Sequence, residues 1–204
     1  YGQGIVKLFE AAAAERDVQI VDKQYTSDKA TQFSSILTAI KGHKPDAIFF
    51  AGLDAQAGPI LRQMSQLAMN QVKFLGGDAQ CSERLSVMAD KAPALKNVVC
   101  VMSGNSLASM PGGLAWKQKY DQRFPGQYQV YSPYAYDATM VLAQAIISAD
   151  SAHPEAYLPR LRQTHYEGVT GTIAFDSQGE LENPRVTLYG YASGERKELV
   201  VPAR

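Results

Sequence analysis

Asp46-Ala47-Ile48-Phe49-Phe50-Ala51-Gly52-Leu53-Asp54 is the stretch that decides the fold class. Its five apolar residues, Ala47 to Ala51, are strand-sized and far short of a membrane span. An unbroken apolar run of that length reads as a strand buried on both faces, the kind found in parallel sheets. Gly52-Leu53-Asp54 ends it, and Ile60, Leu61, Met64, Leu67 and Ala68 then recur at helical spacing. Strand, glycine turn and helix in that order make the repeating unit of an α/β protein.

The same unit recurs on both sides. Upstream, Ile5, Leu8, Phe9 and Ala12 mark one helix face, Val18-Gln19-Ile20-Val21 reads as a strand, and Phe33, Ile36, Leu37 and Ile40 mark a second helix stopped by Gly42 and Lys44-Pro45. Downstream, Lys73-Phe74-Leu75 reads as a strand closed by Gly76-Gly77-Asp78, a helical segment runs near Glu83–Met88, and Val98-Val99-Cys100-Val101 is a further strand. This alternation predicts parallel pairing with helices on both faces. After Met102 the pattern changes to a loop, a helix around Trp116 and Tyr120, a long helix over about 133–149 and a shorter one over 155–163. Two strand patterns close the chain, Thr172-Ile173-Ala174-Phe175 and Val186 to Tyr191. We therefore expect an α/β lobe over 1–102, part of a second lobe over 103–182, and a tail over 183–204 returning toward the lobe built by 1–102.

Composition narrows the function. The 204 residues carry 20 basic and 20 acidic side chains, with no basic excess of the kind that nucleic-acid binding needs. The three histidines, His43, His153 and His165, are scattered in polar contexts. There is no Gly-x-Ser-x-Gly elbow, no His-Glu-x-x-His and no P-loop lysine, so the chain reads as non-enzymatic, with no cofactor and no metal site. Tyr1-Gly2-Gln3-Gly4 has two glycines at dinucleotide spacing but lacks the third. Two cysteines, Cys81 and Cys100, are too few for a metal cluster; they are either a pair of buried thiols or a single disulfide.

Open parallel sheets bind ligands at the carboxyl ends of their strands. Tyr1, Gly52-Leu53-Asp54 and Gly77-Asp78 fall at such ends. Asp78 follows two glycines that let the backbone turn sharply, and its carboxylate suits a ligand ammonium or, equally, a turn or helix cap. Asp54 stands where a cap for the next helix belongs.

Tyr1-Gly2-Gln3-Gly4, Ala51-Gly52 with Gly58-Pro59-Ile60-Leu61-Arg62-Gln63, Gly76-Gly77-Asp78, Tyr134-Ala135-Tyr136-Asp137-Ala138 and Gly171-Thr172-Ile173-Ala174-Phe175-Asp176 occur in this order. In that order and spacing the chain resembles the branched-chain amino acid binding proteins of ABC transporters, which are type I periplasmic binding proteins. The resemblance implies two Rossmann-like lobes with mainly parallel sheets, joined by a hinge and closing on a ligand like a clamp. It implies a receptor for an amino acid or related small polar molecule, partnered by an ABC permease in the membrane. A ligand-sensing regulatory domain of the same fold is the alternative, and an α/β hydrolase a more distant one. The tyrosine at the position of Tyr1 lines the cleft in such receptors, and the acid at the position of Asp78 holds the ligand's amino group. Leu53 departs from a frequent tyrosine, and Asp54 beside it adds a second carboxylate that favours a more polar ligand. The implied compartment is the periplasm, an oxidising one, which favours a Cys81–Cys100 disulfide. Family members are longer, so the resemblance further implies that an N-terminal part, with any signal peptide, the lobe's first strand and the groups for a ligand carboxylate, is missing. A chain so truncated is expected to self-associate through the apolar surface left uncovered.

Overall fold

The computed structural model describes residues 1–199; the end of the expected tail, 200–204, lies outside the described residues. Two compact units are present, one formed by Tyr1–Met102 with the chain returning from Thr187, the other by Ser103–Val186.

The first unit is built on the strand–helix alternation. Helix α1 (Gly2–Ala14) and helix α2 (Ser34–Gly42) precede β1 (Ala47–Phe50). Then come α3 (Asp54–Gln66), β2 (Lys73–Gly76), the short α4 (Leu85–Met88) and β3 (Val98–Ser103). β1 pairs with β2, and β2 with β3, both parallel. The chain returns through β6 (Val186–Gly190), which lies beside β3, and β7 (Lys197–Glu198), antiparallel to β6, so the sheet order is β1-β2-β3-β6-β7. Leu61 and Met64 of α3, Phe74 of β2, Leu85 of α4, Leu95 and Val98 are fully buried and form the core. α3 also completes a neighbour's terminus: the Gln63 amide oxygen accepts from the Phe33 N–H at 2.7 Å and from the Ser34 hydroxyl at 3.0 Å, where α2 begins. The buried Phe33 N–H would otherwise be left unsatisfied.

The expected strand over Val18 to Val21 does not form: these residues belong to no strand. Val18 is 52% exposed, and Ile20 and Val21 are little more covered. An alternating apolar sequence becomes a strand only where a partner offers ladder bonds, and none of the described strands pairs here. α1 instead reaches the sheet through Phe9, whose ring stacks on Phe49 of β1 with centroids 4.0 Å apart.

The second unit carries α5 (Gly113–Arg123), α6 (Ser132–Ala149), α7 (Pro154–Arg162) and an antiparallel pair, β4 (His165–Glu167) with β5 (Thr172–Ala174). β4 was not legible as a strand, since His165-Tyr166-Glu167 shows only a single apolar residue between charged or polar ones. The loop joining the pair is fixed by Asp137 of α6, which is fully buried. Its carboxylate accepts from Val169 N–H at 3.0 Å, Thr170 N–H at 2.7 Å and the Thr170 hydroxyl at 2.6 Å. On α5 and α6, Trp116 packs against Tyr120 and Tyr136 with centroids 4.9 and 5.6 Å apart.

Two stability measurements follow from this packing. A Cβ added at Gly58 in α3 would lie 2.6 Å from Met88 Cβ and 2.7 Å from the Met88 carbonyl carbon, whereas one added at Gly4 in α1 meets nothing within 4 Å. Gly58→Ala is expected to cost about 1–3 kcal/mol in urea unfolding, and Gly4→Ala to gain about 0.5–1 kcal/mol. Asp137→Ala, which strands three part-buried donors, is expected to cost about 3 kcal/mol, with Asp137→Asn recovering part of it.

Candidate functional site

Parallel register gathers the site. Phe50 of β1 pairs with Gly76 of β2, and Gly76 pairs with Cys100 of β3, so β1 and β2 finish together at one edge beside β3, which runs on to Ser103. The segments leaving β1 and β2 there are Ala51-Gly52-Leu53-Asp54 and Gly77-Asp78. α1 begins at the same edge because a Cβ at Gly2 would sit 2.5 Å from the Ala51 carbonyl oxygen; only glycine permits that approach. The approach brings the Tyr1 ring over the end of β2, its hydroxyl 2.9 Å from where a Gly77 Cβ would be.

The Tyr1 hydroxyl donates to Asp78 Oδ1 at 2.7 Å. Asp78 opens a single 3-10 turn, Asp78–Gln80, and is half-buried, while Tyr1 is 61% exposed. Leu53 is the residue preceding α3 and is 48% exposed. The N-cap of α3 is Leu53, and Asp54 is the first residue of the helix rather than its cap. Its Oδ2 accepts instead from the Ser82 hydroxyl at 2.6 Å. As an acid in the first turn it still lies favourably in the helix field. The four residues singled out from the sequence thus stand at or beside one sheet edge, with two carboxylates each held by a hydroxyl donor. Such an arrangement is suited to gripping a cation or ammonium, because a carboxylate oriented in advance loses little freedom on binding.

Cys81 and Cys100 form a disulfide, with Cα atoms 5.5 Å apart and both residues fully buried. It ties the residue after the Asp78–Gln80 turn to β3. Gln80 lies beneath this turn, fully buried, its amide in the space a Gly76 Cβ would fill, 0.9 Å from Nε2. Its amide oxygen and nitrogen have no hydrogen-bond partner among the described residues.

Three contributors escaped the sequence reading. Tyr191 donates its hydroxyl to the Ser82 carbonyl at 2.6 Å, and Arg196 donates from Nη1 to the Cys81 carbonyl at 2.8 Å and from Nη2 to Glu83 Oε1 at 3.2 Å. Ser82 itself is the third, joining Asp54 to this arrangement. All come from sequence separations above 100 or from a lone serine in a loop, and no local pattern marks them. The histidines stay apart: His165 sits beside Glu167 at 3.4 Å on an exposed strand, and His43 lies 4.0 Å from Asp22. Among the described residues no group of His, Cys, Asp and Glu has the placement of a metal site, and no helix is long and apolar enough to cross a membrane.

Comparison with known proteins gives this geometry its context. The periplasmic binding protein family matches residues 1–191. A leucine-, isoleucine-, valine-, threonine- and alanine-binding protein of Pseudomonas aeruginosa is 24% identical over 196 residues, covering 93% of this chain and 50% of that protein. A Leu/Ile/Val-binding protein homolog of Brucella suis is 23% identical, covering 95% of this chain and 51% of its own. The chain therefore spans about half the length of the curated relatives it matches. Among solved structures, a leucine binding protein from Thermotoga maritima superposes with a TM-score of 0.86 at 22% identity, over 98% of this chain and 56% of that one. A solute binding protein from R. palustris in complex with benzoate superposes with a TM-score of 0.78 at 14% identity, over 97% of this chain and 54% of that one. These likenesses show a type I periplasmic binding fold.

Tyr191 offers a pH test of the contacts behind the site. Burial pushes its phenol well above the usual tyrosine value. An unfolded tyrosine ionises near pH 10, so a group with a raised folded value lends stability that is complete below about pH 10 and is lost as pH rises beyond it. Urea midpoints measured from pH 8 to pH 11 should fall steeply only above about pH 10, and Tyr191→Phe should flatten that fall.

Proposed function

Starting from the fact that this chain belongs to the periplasmic binding protein family, we propose that it captures an amino acid, or a related small solute bearing an ammonium group, for import by an ABC permease in the membrane. The observation that carries this is the Asp78 carboxylate, oriented by the Tyr1 hydroxyl at 2.7 Å on the carboxyl edge of a parallel sheet. The names of the relatives support it: the one from Pseudomonas aeruginosa is called a leucine-, isoleucine-, valine-, threonine- and alanine-binding protein, and the one from Brucella suis a Leu/Ile/Val-binding protein homolog.

In this reading Asp78 holds the ammonium, Tyr1 orients Asp78 and covers one side of the ligand, and Leu53 supplies an apolar contact. Asp54, fixed by Ser82, adds negative charge nearby, which favours a ligand with a polar or cationic end over a purely aliphatic one. No step of catalysis is required. The buried disulfide supports an oxidising, extracytoplasmic location, the periplasm. The benzoate complex of a similar fold indicates how widely ligand chemistry varies on this scaffold, so the ligand is assigned from the site and not from the fold.

Calorimetric titration of the longest chain the gene encodes with the twenty L-amino acids tests the proposal. Asp78→Ala is expected to weaken binding by about 30- to several thousand-fold, the effect of removing one partner of a desolvated charge pair, with the fold retained by circular dichroism. Asp54→Ala is expected to weaken binding of polar and basic amino acids more than that of leucine. Near-native affinity in Asp78→Ala would sink the assignment.

A further inference from the structure

The segment leaving the Asp78 turn is held from behind by residues more than 100 positions away. Cys81 and Leu85 are fully buried, but Glu83 and Arg84 between them are exposed, so this part of the loop has no apolar anchorage of its own. Instead its backbone carbonyls are gripped by the chain that returns through β6 and β7. Tyr191, fully buried, donates to the Ser82 carbonyl at 2.6 Å. Arg196 donates to the Cys81 carbonyl at 2.8 Å, and its guanidinium lies over the Tyr189 ring, 4.6 Å from the centroid. A second Arg196 nitrogen reaches Glu83, and the Ser86 hydroxyl donates to the Gly194 carbonyl. The arginine side chain is only 9% exposed where it meets Glu83. A hydrogen bond from a permanently charged guanidinium to a backbone carbonyl is stronger than a neutral one, and burial strengthens it further.

One of these bonds falls on a residue that also touches the site, with the Arg196 bonds on the residues at either side of it. Ser82 receives Tyr191 at its carbonyl and gives its hydroxyl to Asp54. Its backbone position thus decides where the hydroxyl points, and the hydroxyl decides where the Asp54 carboxylate points.

We propose that Tyr191 and Arg196 are positioning residues for the binding site, acting through the Cys81–Glu83 backbone and the Ser82 hydroxyl to hold Asp54 in the orientation that the ligand meets. The proposal rests on the reading of Asp54 and Asp78 as ligand groups. Freed of the returning hairpin, the loop keeps its disulfide at Cys81 but loses the bonds that orient Ser82. The freedom so gained must be surrendered again on binding, and affinity falls by that amount.

The test uses Tyr191→Phe, Arg196→Gln and Arg196→Lys in the longest chain the gene encodes, with the twenty L-amino acids as probes and amide exchange over residues 79–86 as a second readout. Tyr191→Phe and Arg196→Gln should each weaken binding by about five- to tenfold, the worth of one hydrogen bond. Arg196→Lys, which keeps the charge and one donor, should recover part of the loss. Exchange over 79–86 should quicken by about tenfold while the amides of β1, β2 and β3 stay protected. In an Asp54→Ala background the affinity loss should shrink to within about twofold, because Ser82 then has no carboxylate to orient. An equal loss in both backgrounds would mean a merely structural role and overturn the proposal, as would unchanged exchange over 79–86. If no amino acid binds the unmutated protein, the amino-acid reading falls, and the exchange of 79–86 still decides whether the hairpin holds the loop.

Discussion

Parallel pairing imposes a direction on everything that follows it in this chain. Strands that run the same way must each be left at one edge and re-entered at the other, so their outgoing turns accumulate on a single side. The register of Phe50 with Gly76 aligns the ends of β1 and β2, and that of Gly76 with Cys100 sets them beside β3, which runs on to Ser103. Asp54, Asp78 and the disulfide therefore come together without any of them recognising another. The edge itself is crowded, which explains its glycines: Gly2 lies against the Ala51 carbonyl, Gly76 lies under the Gln80 amide, and Gly77 lies under the Tyr1 hydroxyl.

Polar contacts then do what apolar packing cannot. The core of the first unit includes Leu61, Phe74 and Val98 and takes in the loop residues Cys81 and Tyr191, while Glu83 and Arg84 stay exposed. Beyond it, order comes from Tyr1 on Asp78, Ser82 on Asp54, and Tyr191 and Arg196 on the backbone of 81–82. The disulfide contributes in a different way, by limiting the unfolded chain: closing a loop of 19 residues is worth about 3 kcal/mol in the chain-entropy view.

Membership of the periplasmic binding protein family accounts for the scaffold, and the local departures account for what is particular to this chain. Leu53 is exposed beside Asp54, and Asp54 is committed to Ser82 rather than to capping α3. One segment thus presents an exposed apolar side chain and, next to it, a carboxylate held by a hydroxyl.

The sequence by itself determined the class of fold and the candidate residues. Continuous apolar runs such as Ala47 to Phe50 and helical spacing such as Ile60, Leu61 and Met64 are local signals, and local signals survive without a structure. Tyr1, Leu53, Asp54 and Asp78 were legible for the same reason, each standing at a strand end or a helix start that the pattern marks. Tertiary structure alone decided the rest. Val18 to Val21 carry a strand's pattern yet form none, because a strand exists only with a neighbour. His165 to Glu167 lack the pattern and form one, because β5 supplies the ladder. Asp54 was legible as an acid, but its partner Ser82, and the Tyr191 and Arg196 that hold Ser82 in place, were not. Hydrogen bonds between residues a hundred positions apart leave no periodicity in the chain; they exist only once the core has brought the two segments to the same place.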